Sequence, residues 1–294
     1  IQGNDIYATA EKYKHIEIDK EKIADQMISY SKGDMRQFYV LDLATNTYST
    51  INASLIYSSP TLYFWIEEGI PYDSRAVKKL CITFEKQIYP LDQKLFGNEN
   101  LLGWGGDKHI VILYCQRING AAGYFSSADL YPQEIEPYSN EAKLIVLSAQ
   151  SAPLSEESTY GILAHEFQHM IHYDLDPNET TWINEGLAEL AVLLNGFDVG
   201  GVDWLYASDA DIQLNSWPSD ETEDVLPHYG AAYLFMTYLY HRYGENFIKE
   251  LSENDQNDLL GIDEIVAKEV KKADAKNLTA DDIFQDWTIA NLLQ

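Results

Sequence analysis

The chain has 294 residues, of which 46% are hydrophobic, so it can bury a substantial core without a framework of disulfides. Its 47 acidic and 20 basic residues give a formal net charge of −27, which repels phosphate backbones and anionic lipid surfaces. We therefore expect no nucleic-acid partner. The sequence contains no run approaching the roughly 20 apolar residues that span a bilayer, so no transmembrane segment is predicted.

The first region, residues 1–73, is predicted to be rich in β-strands. Residues 36–66 are dense in aromatic and β-branched side chains and are interrupted by turn-forming residues. From Ser74 onward, apolar residues recur at helical spacing as far as Tyr89, where the following proline disfavours continuation. This helix is expected to open a second domain, residues 74–294, with an upper lobe over about 74–173 and a helical lower lobe over about 174–294.

Strands are predicted in the upper lobe at 109–115, 121–131 and 142–148, the first and last apolar enough to lie inside a sheet. Segment 121–131 is polar and contains glycine, which suits either an edge that pairs with a peptide substrate or an ordinary edge strand. Later segments predict helices, one after Leu226 that ends at Gly244 and one that opens at Thr279. The expected fold class is α+β, with a mixed sheet above a helical lobe.

Residues 155–173 predict a helix with two distinct faces. His165 and His169 lie one turn apart, so that both imidazoles can reach one metal ion, and Glu166 stands beside them as a candidate general base. The opposite face carries a buried apolar stripe of Leu163, Phe167, Met170 and Ile171. The H-E-x-x-H pattern alone is as compatible with two surface histidines as with a metal site.

A second helix, predicted over residues 180–196, strengthens the metal interpretation. It begins at a threonine, ends at Asn195-Gly196 and carries Glu185 in its first turn. A catalytic zinc ion needs three protein ligands and one open position, and two histidines with one glutamate are a standard set.

The segments HEFQH and WINEGLAE resemble those of the gluzincins, the group that includes thermolysin and the zinc aminopeptidases. Within this group, HEFQHMIHY with NEGLAE is most similar to the hyicolysin-like neutral zinc metallopeptidases, and the resemblance is strongest over residues 155–196. It implies a thermolysin-like domain that binds Zn²⁺ and hydrolyses peptides or proteins. Carried over by position, His165, His169 and Glu185 are the zinc ligands and Glu166 is the base.

One spacing departs from the family pattern. Fifteen residues separate His169 from Glu185, fewer than in the better-known members, and the family's usual spacing would end at Glu189 instead. We assign Glu185 as the third ligand because N-E-G-L-A matches the ligand motif. Glu189, one turn later, matches the carboxylate that orients a histidine ligand by accepting its other N–H.

Peptide hydrolysis by this mechanism also needs a donor to the oxyanion, commonly a tyrosine or a histidine of the lower lobe. Tyr229 and His228 are the candidates, and an ordinary packed tyrosine is an equally good interpretation of Tyr229. His172 is rejected as a ligand because seven residues from His165 correspond to roughly 10 Å along a helix; a cation near the helix C-terminus is expected there instead. The metzincin pattern fails, since His172 and Leu175 occupy its Gly and His positions.

Two further features leave alternatives open. Cys81 and Cys115 suit either one disulfide or two buried free thiols. The acidic stretch 198–213 lacks the spacing of a known calcium loop and is expected to be solvated.

The sequence therefore predicts a zinc metalloendopeptidase, since the G-x-M-E-N motif by which zinc aminopeptidases bind the free amine of a substrate does not occur. A first residue other than methionine suggests removal of a leader and hence a secreted or extracellular protein. The alternative is a non-catalytic surface or adhesion protein built on a peptidase scaffold, although such a protein would have no use for Glu166.

Overall fold

The structure is a computed structural model that describes residues 6–15, 29–99, 106–218, 224–273 and 278–293. The predicted α+β class is confirmed, because a six-stranded mixed sheet and many helices are present. The chain forms two compact units. We call Ile1–Pro90 with Asn100–Met170 the sheet unit and Leu91–Glu99 with Ile171–Gln294 the helical unit.

The sheet unit contains a six-stranded sheet in the order β1-β2-β3-β4-β6-β5. The strands are β1 (Met35–Asp42), β2 (Thr47–Ser58), β3 (Leu62–Glu67), β4 (Ile110–Cys115), β5 (Gly123–Phe125) and β6 (Lys143–Ser148). A first helix, α1 (Ile6–Lys14), precedes them in the chain. Strands β3, β4 and β6 run parallel, whereas β1, β2 and β5 join by antiparallel pairing. All residues of β4 and β6 are buried, as their continuous apolar sequences predict.

Strand β5 is much shorter than the predicted strand at 121–131. After Phe125 the chain turns into a 3₁₀ helix, Ser127–Leu130. The carboxylate of Asp129 accepts bonds from the backbone N–H and the side-chain amide of Asn140, at 2.8 and 2.7 Å. The ladder of β5 with β6 therefore covers Gly123–Phe125, and Asp129 bonds to Asn140 beyond it.

The helix predicted from Ser74 does not end at Tyr89-Pro90, so that part of the prediction was wrong. Helix α2 (Ser74–Thr83) passes through a π-helical turn (Phe84–Ile88) into α3 (Tyr89–Phe96). The N–H of Tyr89 bonds to the carbonyl of Phe84, which resets the helical register just before the proline. Pro90 thus falls in a first turn, where its missing N–H costs little.

Helix α4 (Glu157–Leu175) packs its predicted apolar stripe in the interior. Leu163, Phe167, Met170 and Ile171 are all fully buried. Within the sheet unit, the ring of Phe167 lies 5.3 Å from that of Phe84 and 5.2 Å from that of Tyr89. These aromatic contacts fix α4 against the α2–α3 segment.

Besides most of α3 and the end of α4, the helical unit contains α5 (Thr181–Leu194), α6 (Val202–Ser208), α7 (Leu226–Tyr243), α8 (Glu245–Ser252), α9 (Leu259–Ala273) and α10 (Ala280–Leu293). The predicted ends of α7 at Gly244 and of α5 at Asn195-Gly196 agree with the structure within a residue. The start of α10 is capped by Thr279, whose hydroxyl accepts from the backbone N–H of Asp282 and donates to the carboxylate of the same residue.

Cys81 and Cys115 are buried free thiols, which decides between the two alternatives left by the sequence. Burial raises the pKa of Cys115 to about 12, so this thiol is unreactive near neutral pH. Within the described residues, no helix is both long and apolar enough to cross a membrane.

Gly186 permits close contact between α5 and α7. A Cβ atom there would lie 2.8 Å from Cγ of Met236 and 2.9 Å from the carbonyl oxygen of Ala232. We expect Gly186→Ala to lower the free energy of unfolding by about 1–3 kcal/mol through this overlap. Urea titration measures the change, and Thr181→Ala, at an exposed position of the same helix, is the control; equal effects would contradict the packing argument.

The carboxyl group of Asp92, in α3, is fully buried. Its Oδ1 accepts a 2.7 Å bond from the side-chain amide of Asn195, at the end of α5. Burial raises the pKa of Asp92 well above its ordinary value. The folded state therefore binds this proton more tightly than the unfolded state, and the stability it contributes is lost as pH rises above about 4.

Asp92→Asn should remove this loss, so that the free energy of unfolding decreases less between pH 5 and pH 8 in the variant than in the parent. Urea titrations at the two pH values measure the difference. Asp209→Asn, at an exposed position, is the control. An unchanged pH dependence in Asp92→Asn would show that Asp92 is ionised in the folded state.

Candidate metal centre

The two histidines of the H-E-x-x-H segment converge on one point. The Nε2 atoms of His165 and His169 lie 2.9 Å apart, with ring planes at 85° to each other. Both rings project from the same side of α4 because four residues correspond to about one helical turn. Both side chains are half-buried.

Among the described residues, one group of histidine, cysteine and carboxylate side chains could hold a metal ion. It consists of His165, His169 and Glu185, and one ligand atom from each lies within 4.8 Å of the other two. These are the three residues that the sequence analysis selects as ligands.

The donor set fits zinc. Two nitrogens bound at about 2.05 Å in tetrahedral geometry lie about 3.3 Å apart, close to the observed 2.9 Å between the Nε2 atoms. Two nitrogens and one carboxylate oxygen are borderline ligands of the kind zinc prefers, and three ligands leave one position open. Calcium and magnesium, in contrast, prefer oxygen ligands alone.

Glu166 is held by the edge strand of the sheet. Its side chain is buried, and its Oε2 accepts a 2.8 Å hydrogen bond from the backbone N–H of Phe125 in β5. Strand β5 approaches α4 closely at Gly123, where a Cβ atom would lie 2.8 Å from Cγ2 of Ile162. The glycine therefore allows β5 to reach the carboxylate next to His165.

The side chain of His172, near the end of α4, contacts the first turn of α5. This side chain is only 1% exposed, and its Nδ1 lies 3.1 Å from Oδ1 of Asn184, the residue before Glu185. That His172 acts as a cation near the helix C-terminus stays a prediction, and the structure places its side chain in the interior against Asn184. His172 thus contributes a contact that orients the first turn of α5.

Glu189 lies one turn after Glu185 on α5 and close to Tyr233 of α7. The pKa of Tyr233 is raised first by burial and further by the charges of Asp203 and Glu189. That Glu189 orients a histidine ligand stays a prediction.

The two predicted oxyanion donors occupy the first turn of α7. His228 is buried, and Trp217 packs against it with 5.9 Å between ring centroids. The same tryptophan contacts Tyr229 edge-on, with 4.9 Å between centroids. Trp217 thus constrains both rings, and their catalytic roles stay predictions.

Two contributors to the site escape sequence reasoning. The N–H of Phe125 belongs to the backbone, so no residue type marks it, and the His172–Asn184 contact joins residues with no motif between them. For the N–H of Phe125, the sequence offered one indication: segment 121–131 lies shortly before the helix that carries the two histidines.

No protein-family model matches the chain. Among curated proteins, it is similar to the neutral metalloprotease ShpI of Staphylococcus hyicus, with 25% identity over 280 residues that cover 86% of this chain. The predicted similarity to neutral zinc metallopeptidases is thereby confirmed. The chain spans 62% of the length of that relative.

Among solved structures, the chain is similar to a mutant M1 zinc metallopeptidase from Deinococcus radiodurans. The TM-score is 0.47 with 12% sequence identity, over 86% of this chain and 52% of the other.

The assignment of Glu185 predicts different effects of two alanine substitutions on α5. Glu185→Ala removes a ligand and should weaken zinc binding by more than about 100-fold, whereas Glu189→Ala should weaken it by about 10–100-fold, as loss of an orienting partner does. Competition with a chromogenic chelator measures both affinities. The opposite order would make Glu189 the ligand.

Proposed function

We propose that the chain is a zinc-dependent endopeptidase that hydrolyses peptide bonds with Glu166 as general base. The observation that carries the proposal is the convergence of the two Nε2 atoms at 2.9 Å, beside a carboxylate held by the edge strand. The similarity to the neutral metalloprotease ShpI supports the same reaction class.

His165, His169 and Glu185 would hold the zinc ion. When bound, zinc supplies a Lewis acid that polarises the scissile carbonyl and lowers the pKa of water. Glu166 takes a proton from the attacking water and transfers it to the leaving amine. The bond from Phe125 orients this carboxylate through Oε2, which leaves Oε1 to accept from the water.

The substrate is proposed to lie against β5. This strand is at the edge of the sheet, so an extended peptide can pair with its backbone while the scissile bond faces Glu166. The short length of β5 limits such pairing to a few residues.

Tyr229 and His228 are proposed as the donors that stabilise the oxyanion. Their common neighbour Trp217 would limit the rotation of both rings. An endopeptidase is proposed over an aminopeptidase because the chain lacks the G-x-M-E-N motif. Secretion stays a prediction of the sequence analysis.

The rival proposal is a non-catalytic surface or adhesion protein. Glu166 discriminates between the two, because a structural zinc site has four protein ligands and needs no base. Here the carboxylate is buried beside the ligands and anchored by a backbone donor, as a base requires.

Glu166→Gln should retain zinc and lower kcat for a quenched fluorescent peptide by about 10²–10⁴-fold, since the amide cannot accept the proton. Zinc content is measured in parallel by atomic absorption. Glu157→Gln, an exposed position in the first turn of the same helix, is the matched control and should have the parent's kcat.

A zinc chelator should abolish hydrolysis in the parent, and added Zn²⁺ should restore it. Retained activity in Glu166→Gln would contradict the mechanism. A parent chain that binds zinc but hydrolyses neither casein nor peptides would favour the rival.

A further inference from the structure

A small pocket in the sheet unit is lined by aromatic rings and one carboxylate. Its walls include Tyr39, Tyr48, Tyr124, Ser126, Asp129 and Tyr138. The rings of Tyr48 and Tyr138 stack with 4.3 Å between centroids and 10° between planes, and the ring of Tyr39 lies 5.7 Å from that of Tyr138. The stacked rings are exposed, whereas Asp129 is only 5% exposed, so the carboxylate belongs to the buried part of the wall.

The pocket lies on the face of the sheet that is turned away from α4. Gly123 of β5 faces α4, because a Cβ atom there would meet Ile162. Side chains alternate between the two faces of a strand, so Tyr124 points to the other face, where it packs in a core cluster. Its hydroxyl accepts a 3.0 Å bond from the N–H of Leu41 in β1. The pocket is therefore separate from the candidate metal centre.

Hydrogen bonds satisfy one of the two carboxylate oxygens of Asp129. The backbone N–H and the side-chain amide of Asn140 both donate to Oδ1. This arrangement leaves Oδ2 to accept from a group in the pocket. A buried carboxylate whose oxygens are only partly bonded is costly, so a donor at Oδ2 would stabilise it.

The electrostatics of the pocket favour a cation. Burial raises the pKa of Asp129 to about 7, although the bonds from Asn140 and the charge of Arg36 lower it. The guanidinium of Arg36 bonds to the backbone carbonyl of Asn140, so its charge offsets the burial of the carboxylate only in part. Burial, and then the charges of Asp129 and Glu136, raise the pKa of Tyr48. Negative charge thus lies beside the faces of aromatic rings, and both attract cations.

We propose that this pocket binds a primary ammonium group of the kind that a lysine side chain presents. The cavity volume is about 10 Å³, room for one group the size of a water molecule, which an ammonium head matches. The ammonium can donate to Oδ2 of Asp129 and contact the rings of Tyr48 and Tyr138. A guanidinium or a trimethylated ammonium is larger than this cavity. The site does not rest on the proposed peptidase function.

The test uses the full chain with Glu166→Gln, which prevents self-digestion, at pH 8, where Asp129 is ionised. The tyrosine rings are labelled with ¹³C, and Tyr48→Phe and Tyr138→Phe assign the two exposed rings in NMR spectra. Nα-acetyl-lysine N-methylamide should shift both resonances in a saturable way, with a Kd of about millimolar order.

Matched ligands test which part of the probe is recognised. The norleucine analogue, which lacks the ammonium, should give no saturable shift. The trimethyllysine analogue should bind at least about tenfold more weakly, because of its size. Butylamine separates the two sources of the ligand: an affinity equal to that of the lysine probe supports recognition of the ammonium of any small amine, and a lower one supports recognition of a lysine residue within a peptide.

Asp129→Asn should lower the affinity for the lysine probe at least about tenfold, because it removes the charge and keeps an oxygen for the bonds from Asn140. In the parent, the affinity should fall by up to about tenfold between pH 8 and pH 6, as Asp129 becomes protonated, and this dependence should vanish in the variant. The midpoint of thermal unfolding is measured for each variant, to separate lost binding from misfolding.

Tyr138→Leu provides a test that leaves the buried carboxylate intact. Loss of the aromatic face at this exposed position should lower the affinity about two- to fivefold. Tyr72→Leu, at a similarly exposed tyrosine outside the pocket, is the control and should bind as the parent does.

The proposal is overturned if the lysine probe gives no saturable shift, which would mean that the pocket holds water only. It is also overturned if the norleucine or trimethyllysine analogue binds as well as the lysine probe, or if folded Asp129→Asn and Tyr138→Leu bind like the parent. None of these readouts depends on peptide hydrolysis, so failure here is distinguishable from failure of the proposed peptidase function.

Discussion

Helix α4 must direct two imidazoles to one point while its other face stays in the core, and the remaining features of the site depend on this constraint. The spacing of His165 and His169 brings their Nε2 atoms to 2.9 Å. The same helix is immobilised by buried side chains such as Phe167, which packs between aromatic rings of the preceding helical segment. Rigid packing on one face thus gives accurate geometry on the other.

The edge of the sheet completes the environment of Glu166. A carboxylate next to a metal site can adopt several rotamers, and a base is effective only in one of them. The bond from the N–H of Phe125 selects the rotamer, and Gly123 allows the strand to come close enough to form it. The edge strand β5 therefore orients the proposed base, and it is also the strand against which we propose that an extended substrate lies.

Local patterns in the sequence predicted the helices and the buried strands well, because spacing within one element determines which face is apolar. The stripe of Leu163 and Phe167, the ends of α5 and α7, and the buried strands β4 and β6 follow from such patterns. The continuation of the helix through Pro90 could not be predicted in this way, because the π-helical turn that permits it has no clear sequence signal.

Interactions between distant segments were beyond sequence reasoning. The parallel pairing of β3 with β4 joins residues 48 positions apart, such as Leu62 and Ile110, and nothing in either strand specifies its neighbour. For His172 the sequence indicated only a position near the end of a helix, and the contact of its ring with Asn184 joins two segments that no motif relates.

The central claim is that two imidazoles and one carboxylate bind a single zinc ion. X-ray absorption at the zinc K-edge of the purified chain tests it directly. The account predicts one zinc per chain, with two nitrogen neighbours at about 2.0–2.1 Å, oxygen neighbours and no sulfur. A sulfur shell, or a spectrum unchanged by His165→Ala and His169→Ala, would contradict it.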